Sequence, residues 1–473
     1  MKGISNKNHK LYWRYNIEKA VKTKKKYPFG FYVCALSFTI ERMAFYSSKW
    51  LIGVFIVAAV AKGGLGLDAA EGAKMGANLV AFTYLTPIIG GWIADRWVSP
   101  RLCVVLGAVL MGAGYVFGWQ SALQGSPALV WVMIALVSIG TGLFKGNVSA
   151  INGKLFEDKE QLDSAFSVQY SFVNIGSFIG TTVVSFIAYG LGFGTTFLIC
   201  AGLLFLDAVW LLVGGNMAFG EVGKKPFKAG EVKESSTKKS SDAPLTLKEK
   251  ERIAAIVLIT IFSIVFWVVW YLTYMPVLYH WGPDFDTANK ANWMIGNFTV
   301  PSAWFDSLNA LCCIALGPVL AAYWSKRARS PKGDLSMFKK TALGMILLGL
   351  SFVVMALAEV VRGDGQANLM WIILVGVLMS VGEMVFSPLG NSFISKFSPA
   401  KVLGLMMGVW PFAIFISGKT YGYLYELLSG YSFAPAYAVV AAIVIACGVV
   451  LWSLDKKLSK LVEEEDSEKA LNA

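Results

Sequence analysis

The chain has 473 residues, of which 56% are apolar and only 15% charged; soluble domains run at about 45–50% and about 25%. So few charges cannot cover the surface of so much apolar chain, which excludes a string of soluble domains as well as disordered, collagenous and disulfide-framework proteins. The net charge of +12 would suggest nucleic acid in a soluble protein, but here the basic residues gather in a leader and a few loops, the pattern of a membrane topology signal.

Residues 1–27 are polar and crowded with lysine. The apolar stretch after them is too long for a signal-peptide core and lacks a small-residue cleavage site, so they read as a cytoplasmic basic segment before a first transmembrane helix. A bilayer core takes about 20 mostly apolar residues per helix. That window places spans near 30–61, 72–95, 101–119, 128–152, 163–188 and 193–214. Residues 216–250, rich in Lys, Glu and Ser, cannot cross a membrane and read as a cytoplasmic linker. A second set of spans follows near 251–276, 300–325, 338–360, 369–394, 402–428 and 434–454, and 455–473 form a cytoplasmic tail. The expectation is an all-α membrane protein of twelve transmembrane helices, with one six-helix bundle over 28–215 and another over 251–454.

Loop charges give the orientation. The loops after the second (Arg96, Arg101), fourth (Lys154, Lys159), eighth (Lys326, Arg327, Lys340) and tenth (Lys396, Lys401) spans are basic, and the opposite loops are short and nearly uncharged or acidic. Both termini are therefore expected in the cytoplasm. Six helices plus six around a charged linker is the architecture of a secondary transporter with the major facilitator fold. No organelle-targeting string is present, which suggests a bacterial inner membrane.

Each ionisable group inside a span costs about 2.5–3.5 kcal/mol or more, so each asks for a reason. The first span carries Glu41, Arg42 and Lys49, the fourth Lys145 and the tenth Glu383. On a helix, Arg42, Tyr46 and Lys49 form one stripe about 10 Å long. Two readings stand. These groups could be ion pairs that only fix packing, or long side chains reaching an interface. Alternatively, they face a water-filled cavity, cationic on the first half and anionic on the second, which suits a zwitterion such as a short peptide. Asn174 and Asn309 could bind a substrate amine or act as polar glue between helices. Tyr46, Tyr84, Trp267 and Trp410 could shape a pocket or simply pack. The six cysteines lie in apolar runs without ligand spacing, and only two histidines exist; no metal or cofactor is expected. There is no Gly-x-Ser-x-Gly or His-Glu-x-x-His string, and the phosphate-loop look of Gly418-Lys419-Thr420 sits in an apolar span. An enzyme is not expected.

Local strings add a resemblance. Glu41-Arg42-Met43-Ala44-Phe45-Tyr46 resembles the ExxERFxYY motif of the proton-dependent oligopeptide transporter (POT) family, a branch of the major facilitator superfamily. Gly90-Gly91-Trp92-Ile93-Ala94-Asp95-Arg96, the segment Gly140 to Ser149, and Asn174-Ile175-Gly176-Ser177 are similar to its signatures in chain order. So are Trp304 with Asn309, Gly382-Glu383 with Pro388, and Gly404 to Trp410. The resemblance implies proton-coupled symport of di- and tripeptides by a monomer in the lipid bilayer, with the proton as coupling ion. It implies that Glu41, Arg42 and Lys145 couple proton to substrate, and that Arg42, Lys49 and Lys145 hold the substrate carboxylate. It assigns the substrate amine to Asn174, Asn309 and Glu383, and the pocket walls to Tyr46, Tyr84, Trp267 and Trp410.

Three departures matter. Phe38 stands where the motif has its first Glu, Tyr271 stands where some relatives place a seventh-helix acid, and the linker lacks the two extra helices common in bacterial members. The alternatives are therefore the same fold with an altered substrate, such as another small zwitterion or an anion, or with weakened proton coupling. A non-transporting membrane receptor is the reading from another class.

Overall fold

The structure is a computed structural model that describes residues 27–156, 159–227, 245–284, 289–331, 333–387, 389–399 and 402–462. Most of the basic N-terminal segment, the linker centre at 228–244 and the tail beyond 462 lie outside the described residues. In a bilayer every backbone polar group must be satisfied within the chain, so apolar runs of this length become helices.

The first half is built from α1 (Phe29–Val57), α2 (Ala69–Arg96), α3 (Pro100–Gln124), α4 (Pro127–Lys154) and α5 (Lys159–Ala218). The last is 60 residues long and breaks at Gly192, whose φ of 79° and ψ of 170° are open to glycine but not to other residues. Its two arms serve as the fifth and sixth spans. The second half contains α6 (Leu247–Tyr279), α7 (Trp304–Ala328), α8 (Met337–Arg362), α9 (Leu369–Phe386), α10 (Leu389–Phe397), α11 (Leu403–Ser429) and α12 (Phe433–Val462). Helix starts follow capping chemistry: Asp68 accepts the Glu71 N–H, and Thr246 with Glu249 forms a full capping box.

Every expected span has a helical counterpart, with shifted edges. Nine helices among the described residues are long and apolar enough to cross a membrane; α1, which carries three charges, and α11 lie outside that set. The expected span 369–394 is two helices, α9 and α10. The span placed at 300–325 starts only at Trp304, because a two-stranded hairpin, β2 (Met294–Ile295) with β3 (Phe298–Thr299), precedes it. Beside it, β1 (Ala291–Asn292) pairs in parallel with β4 (Ala367–Asn368). The linker does not begin at 216. The described residues that follow α5 fold back, and Arg101 donates to the carbonyls of Val222 at 2.7 Å and Gly220 at 2.6 Å. Nor is 455 the start of a tail, since α12 continues to Val462 and Asp455 pairs with Lys339 at 3.0 Å.

In the first half α1 packs along α5, and α4 packs on α2 and α3; in the second, α8 packs on α9 and α12, and α6 on α11. The halves meet along α2 with α11 and α5 with α7. Glycine sets how closely some of these helices approach: a Cβ on Gly90 of α2 would lie 2.0 Å from the Gly142 carbonyl oxygen of α4. This leaves the middle of the molecule, between the halves, for a chamber.

Candidate functional site: a charged chamber between the halves

The chamber has a volume of about 350 Å³, within the range of small-molecule sites, about 300–1,000 Å³. Its first-half wall contains Arg42, Tyr46 and Lys49 from α1, Tyr84 from α2, Lys145 from α4, and Gln169 with Tyr170 from α5. The opposite wall is Trp267, Trp270 and Tyr271 from α6, Glu383 from α9 and Trp410 from α11. The stripe of Arg42, Tyr46 and Lys49 expected from helical spacing thus faces one space, and all four expected aromatic residues line it.

Three of the sequence candidates are placed differently. Glu41 is completely buried and does not line the chamber. It grips Arg42 from behind, with both contacts at 2.5 Å. Neighbours in sequence point to different sides of a helix, so Arg42 reaches the chamber while its counter-ion stays inside the bundle. Asn309 also stands behind the wall: its amide donates to Glu383 Oε2 at 2.7 Å and to Ser380 Oγ at 3.1 Å, fixing the carboxylate's position. Asn174 lies outside the lining, its amide donating to the Tyr170 carbonyl one turn back at 2.9 Å.

The three cations differ in their partners. Arg42 has Glu41, and its guanidinium sits 4.5 Å from the Phe45 ring centre. Lys49 is bound across the interface to Asp306, in the first turn of α7, at 2.9 Å, with its ammonium 4.0 Å from the Tyr274 ring centre. Lys145 lies 4.5 Å from the Tyr84 ring centre and has no carboxylate at ion-pair distance among the described residues. Among the described residues of this wall, Lys145 is the cation left available to a ligand.

Asp306 and Asp207 are functional candidates that the sequence reading passed over, although both had a signal. Asp306 falls inside the expected eighth span and Asp207 is the lone charge of the sixth, and either is costly enough to ask for a partner. The aromatic run of α6 is similar: Trp267, Trp270, Tyr271 and Tyr274 recur at three and four residues, and Tyr271 stacks on Tyr421 of α11 with ring centres 5.3 Å apart. Phe38, on the chamber side, packs edge-on against Phe144 at 5.8 Å.

Beyond Lys49, on the side away from the N-terminus, the halves are tied together. Trp50 donates to Ser302 Oγ at 2.9 Å, Tyr279 to the Gly53 carbonyl at 3.2 Å, and Lys74 pairs with Glu426 at 3.1 Å. Thr181 and Thr182 bond Ser307 at 2.7 and 2.9 Å, and Lys419 donates to Asn78. This end is shut.

Two helical halves closed at one end around a charged mid-depth chamber define a multi-pass membrane transporter. The sequence model of the Major Facilitator Superfamily matches residues 40–418, and the chain belongs to that superfamily. The "Di-/tripeptide transporter" of Lactococcus lactis subsp. cremoris is 24% identical over 510 residues, covering 94% of this chain and 99% of that protein. "Dipeptide and tripeptide permease A" of Erwinia pyrifoliae is 27% identical over 431 residues, covering 81% and 82%. Among solved structures, "peptide transporter POT in complex with sulfate" superposes with a TM-score of 0.83 at 23% identity, over 92% of this chain and 96% of that one. A "POT family transporter in complex with 5-aminolevulinic acid" gives 0.81 at 24%, over 91% and 97%. The similarity thus covers 94% of this chain for the Lactococcus lactis relative and 91–92% for the two solved structures.

Proposed function

We propose that this protein is a proton-coupled importer of di- and tripeptides, working by alternating access as a monomer in a bacterial inner membrane with both termini cytoplasmic. The observation that carries this reading is the opposition of charges across one chamber: Arg42 and Lys145 on the first-half wall, Glu383 on the other. A short peptide is a zwitterion whose ends fit that opposition, its carboxylate between Arg42 and Lys145 and its amine at Glu383. Buried ion pairs of this kind discriminate strongly, because a ligand lacking one charge leaves a desolvated partner uncompensated. The names of the relatives and the ligand-bound neighbours support the substrate class.

Coupling follows from the Glu41–Arg42 pair. A substrate carboxylate that draws the Arg42 guanidinium forward takes away the counter-ion of Glu41, and a proton on Glu41 restores neutrality. Substrate and proton then favour each other's binding, which is the linkage a symporter needs. The halves rock about the chamber, and breaking the ties beyond Lys49 opens it on the other side. With that side facing out, an inward proton supplies about 2.3 kcal/mol per 100 mV, plus the pH difference. The proton is the coupling ion, and the reading assigns no cofactor.

One observation favours a second reading within the same fold. Among the described residues Lys145 has no carboxylate at ion-pair distance, and Phe38 and Tyr271 bring none, so the chamber also suits a more acidic substrate. The test is uptake of labelled dialanine into proteoliposomes under an acid-outside gradient, with wild type and Glu41→Gln side by side. Gradient-driven accumulation by the wild type, reduced to mere equilibration in the variant, is expected. Absence of accumulation across a panel of dipeptides would refute the reading.

A further inference from the structure

One acid in the membrane region has no place in the chamber. Asp207, on the second arm of α5, is completely buried and is the lone charged residue between 193 and 218. Its Oδ2 accepts the Ser37 hydroxyl of α1 at 2.8 Å, and its Oδ1 has no hydrogen-bond partner among the described residues. The titratable groups in electrostatic range on α1 are Glu41 and Cys34. The charged or titratable groups of the neighbouring α3 are Arg101, which donates to the Val222 and Gly220 carbonyls, the Cys103 thiol, and the Tyr115 phenol, which is engaged with Ser48 at 2.7 Å. The cation of this region, Arg42, belongs to Glu41.

Ser37 and Glu41 are four residues apart, on one face of α1. Arg42 lines the chamber and Glu41 does not, so this face looks into the first bundle. A carboxylate held there on one oxygen bears several kcal/mol of uncompensated burial. A carboxylic acid is satisfied by the same serine, because a hydroxyl accepts as well as donates.

We propose that Asp207 is the relay acid through which Glu41 gains and loses its proton on the side away from the substrate. When Glu41 takes the proton, one O–H bond breaks on Asp207 and one forms on Glu41; Ser37, one helical turn from Glu41, donates to the Asp207 carboxylate that results, and the protein's charge is unchanged by the transfer. Asp207 holds the proton while Arg42 neutralises Glu41. The substrate can then occupy the chamber without blocking the proton's route. The inference rests on the coupling role given to Glu41 above.

The experiment uses full-length protein. In lipid nanodiscs, pH-difference infrared spectra of the wild type should contain a carboxylic C=O band that is missing in Asp207→Asn and displaced in Ser37→Ala. In proteoliposomes, the ratio of acid-driven dialanine accumulation to counterflow on the same vesicles should fall about tenfold in Asp207→Asn for a gradient of one pH unit, and by less in Ser37→Ala. Identical bands in wild type and Asp207→Asn, or an unchanged ratio, would overturn the relay and leave Asp207 a packing residue. A wild type that never accumulates dialanine would overturn the coupling reading and the relay with it, so the two failures are told apart by the wild type alone.

Discussion

The two walls of the chamber solve the problem of charge in a membrane differently. The first-half wall carries two kinds of cation: Arg42 is neutralised within its own helix by Glu41, whereas Lys145 has no carboxylate partner among the described residues. The second-half wall is aromatic, with one carboxylate, Glu383, which is held by an amide and has no cation at ion-pair distance among the described residues. A wall that neutralises itself can stand without substrate. A wall whose charges lack counter-ions creates demand for a ligand, and Lys145 and Glu383 are where that demand lies. Lys49 marks the contrast, since it sits on the same stripe as Arg42 but spends its charge on Asp306 across the interface.

The strongest way to break this comparison is at Glu383. Glu383→Ala should weaken binding of peptides with a free amine more than about a hundredfold, roughly 3 kcal/mol, because a buried charge loses its partner. Amine-blocked analogues should change little. Calorimetry on both ligand sets decides it, and equal losses would mean that the second wall does not read the amine. Next comes Lys145→Ala, expected to cost about thirtyfold, near 2 kcal/mol, as for a hydrogen bond to a charged group. The loss should disappear for peptides with an amidated C-terminus, measured the same way.

A smaller effect is expected at the tie between the walls. Lys49→Ala and Asp306→Asn should each raise the population open on the far side by about tenfold, within the range of coupling energies between conformations. Spin labels on the far ends of α2 and α11 would report it by distance. The double variant should match either single variant rather than their sum, since both remove one contact. If the effects add, Lys49 and Asp306 act separately and the contrast with Lys145 loses its cause.

A last prediction lies outside the membrane helices and concerns stability rather than binding. Asp284 is buried beside the start of α7, where its Oδ2 accepts the Ser302 N–H at 3.1 Å. Burial pushes its carboxyl up to about 7, with the Ser302 bonds opposing. An acid raised in the fold binds its proton more tightly there than in the unfolded chain. Its contribution to stability is therefore complete below about pH 4 and is lost as pH rises towards 7. Melting curves from pH 4 to 8 should show a decline that Asp284→Asn flattens. Because Ser302 also ties to Trp50, that decline should be steeper in wild type than in Trp50→Phe. Parallel curves for wild type and Asp284→Asn would remove Asp284 from the far-side closure.

The order of helices, the two halves and the stripe of Arg42, Tyr46 and Lys49 were legible because each depends on local properties. Hydropathy over about 20 residues sets a span, and spacing on one helix sets which side chains share a face. Eight of the residues expected at the site do line the chamber. The remaining three did not follow: Glu41 turns to the bundle side of its own helix, Asn174 bonds the Tyr170 carbonyl one turn back, and Asn309 is taken by partners distant in sequence. Asn309 was read as facing substrate, and only the approach of α7 to α9 shows that it holds Glu383 instead. Span ends moved for the same reason: hairpin pairing delays α7, and the contact of Asp455 with Lys339 carries α12 beyond its apolar run.

By itself the sequence determined that this chain lives in a membrane, that it folds as two six-span halves, and that a few charges must be hidden between them, since transfer of apolar surface and of charge out of water is a property of each residue. Which charge meets which was decided only by tertiary structure. Lys49 with Asp306, Asp207 with Ser37, and the placing of Lys145 and Glu383 on opposite walls of one chamber depend on how helices far apart in the chain pack, because Coulomb energy in a low-dielectric interior depends on distances that no local pattern contains.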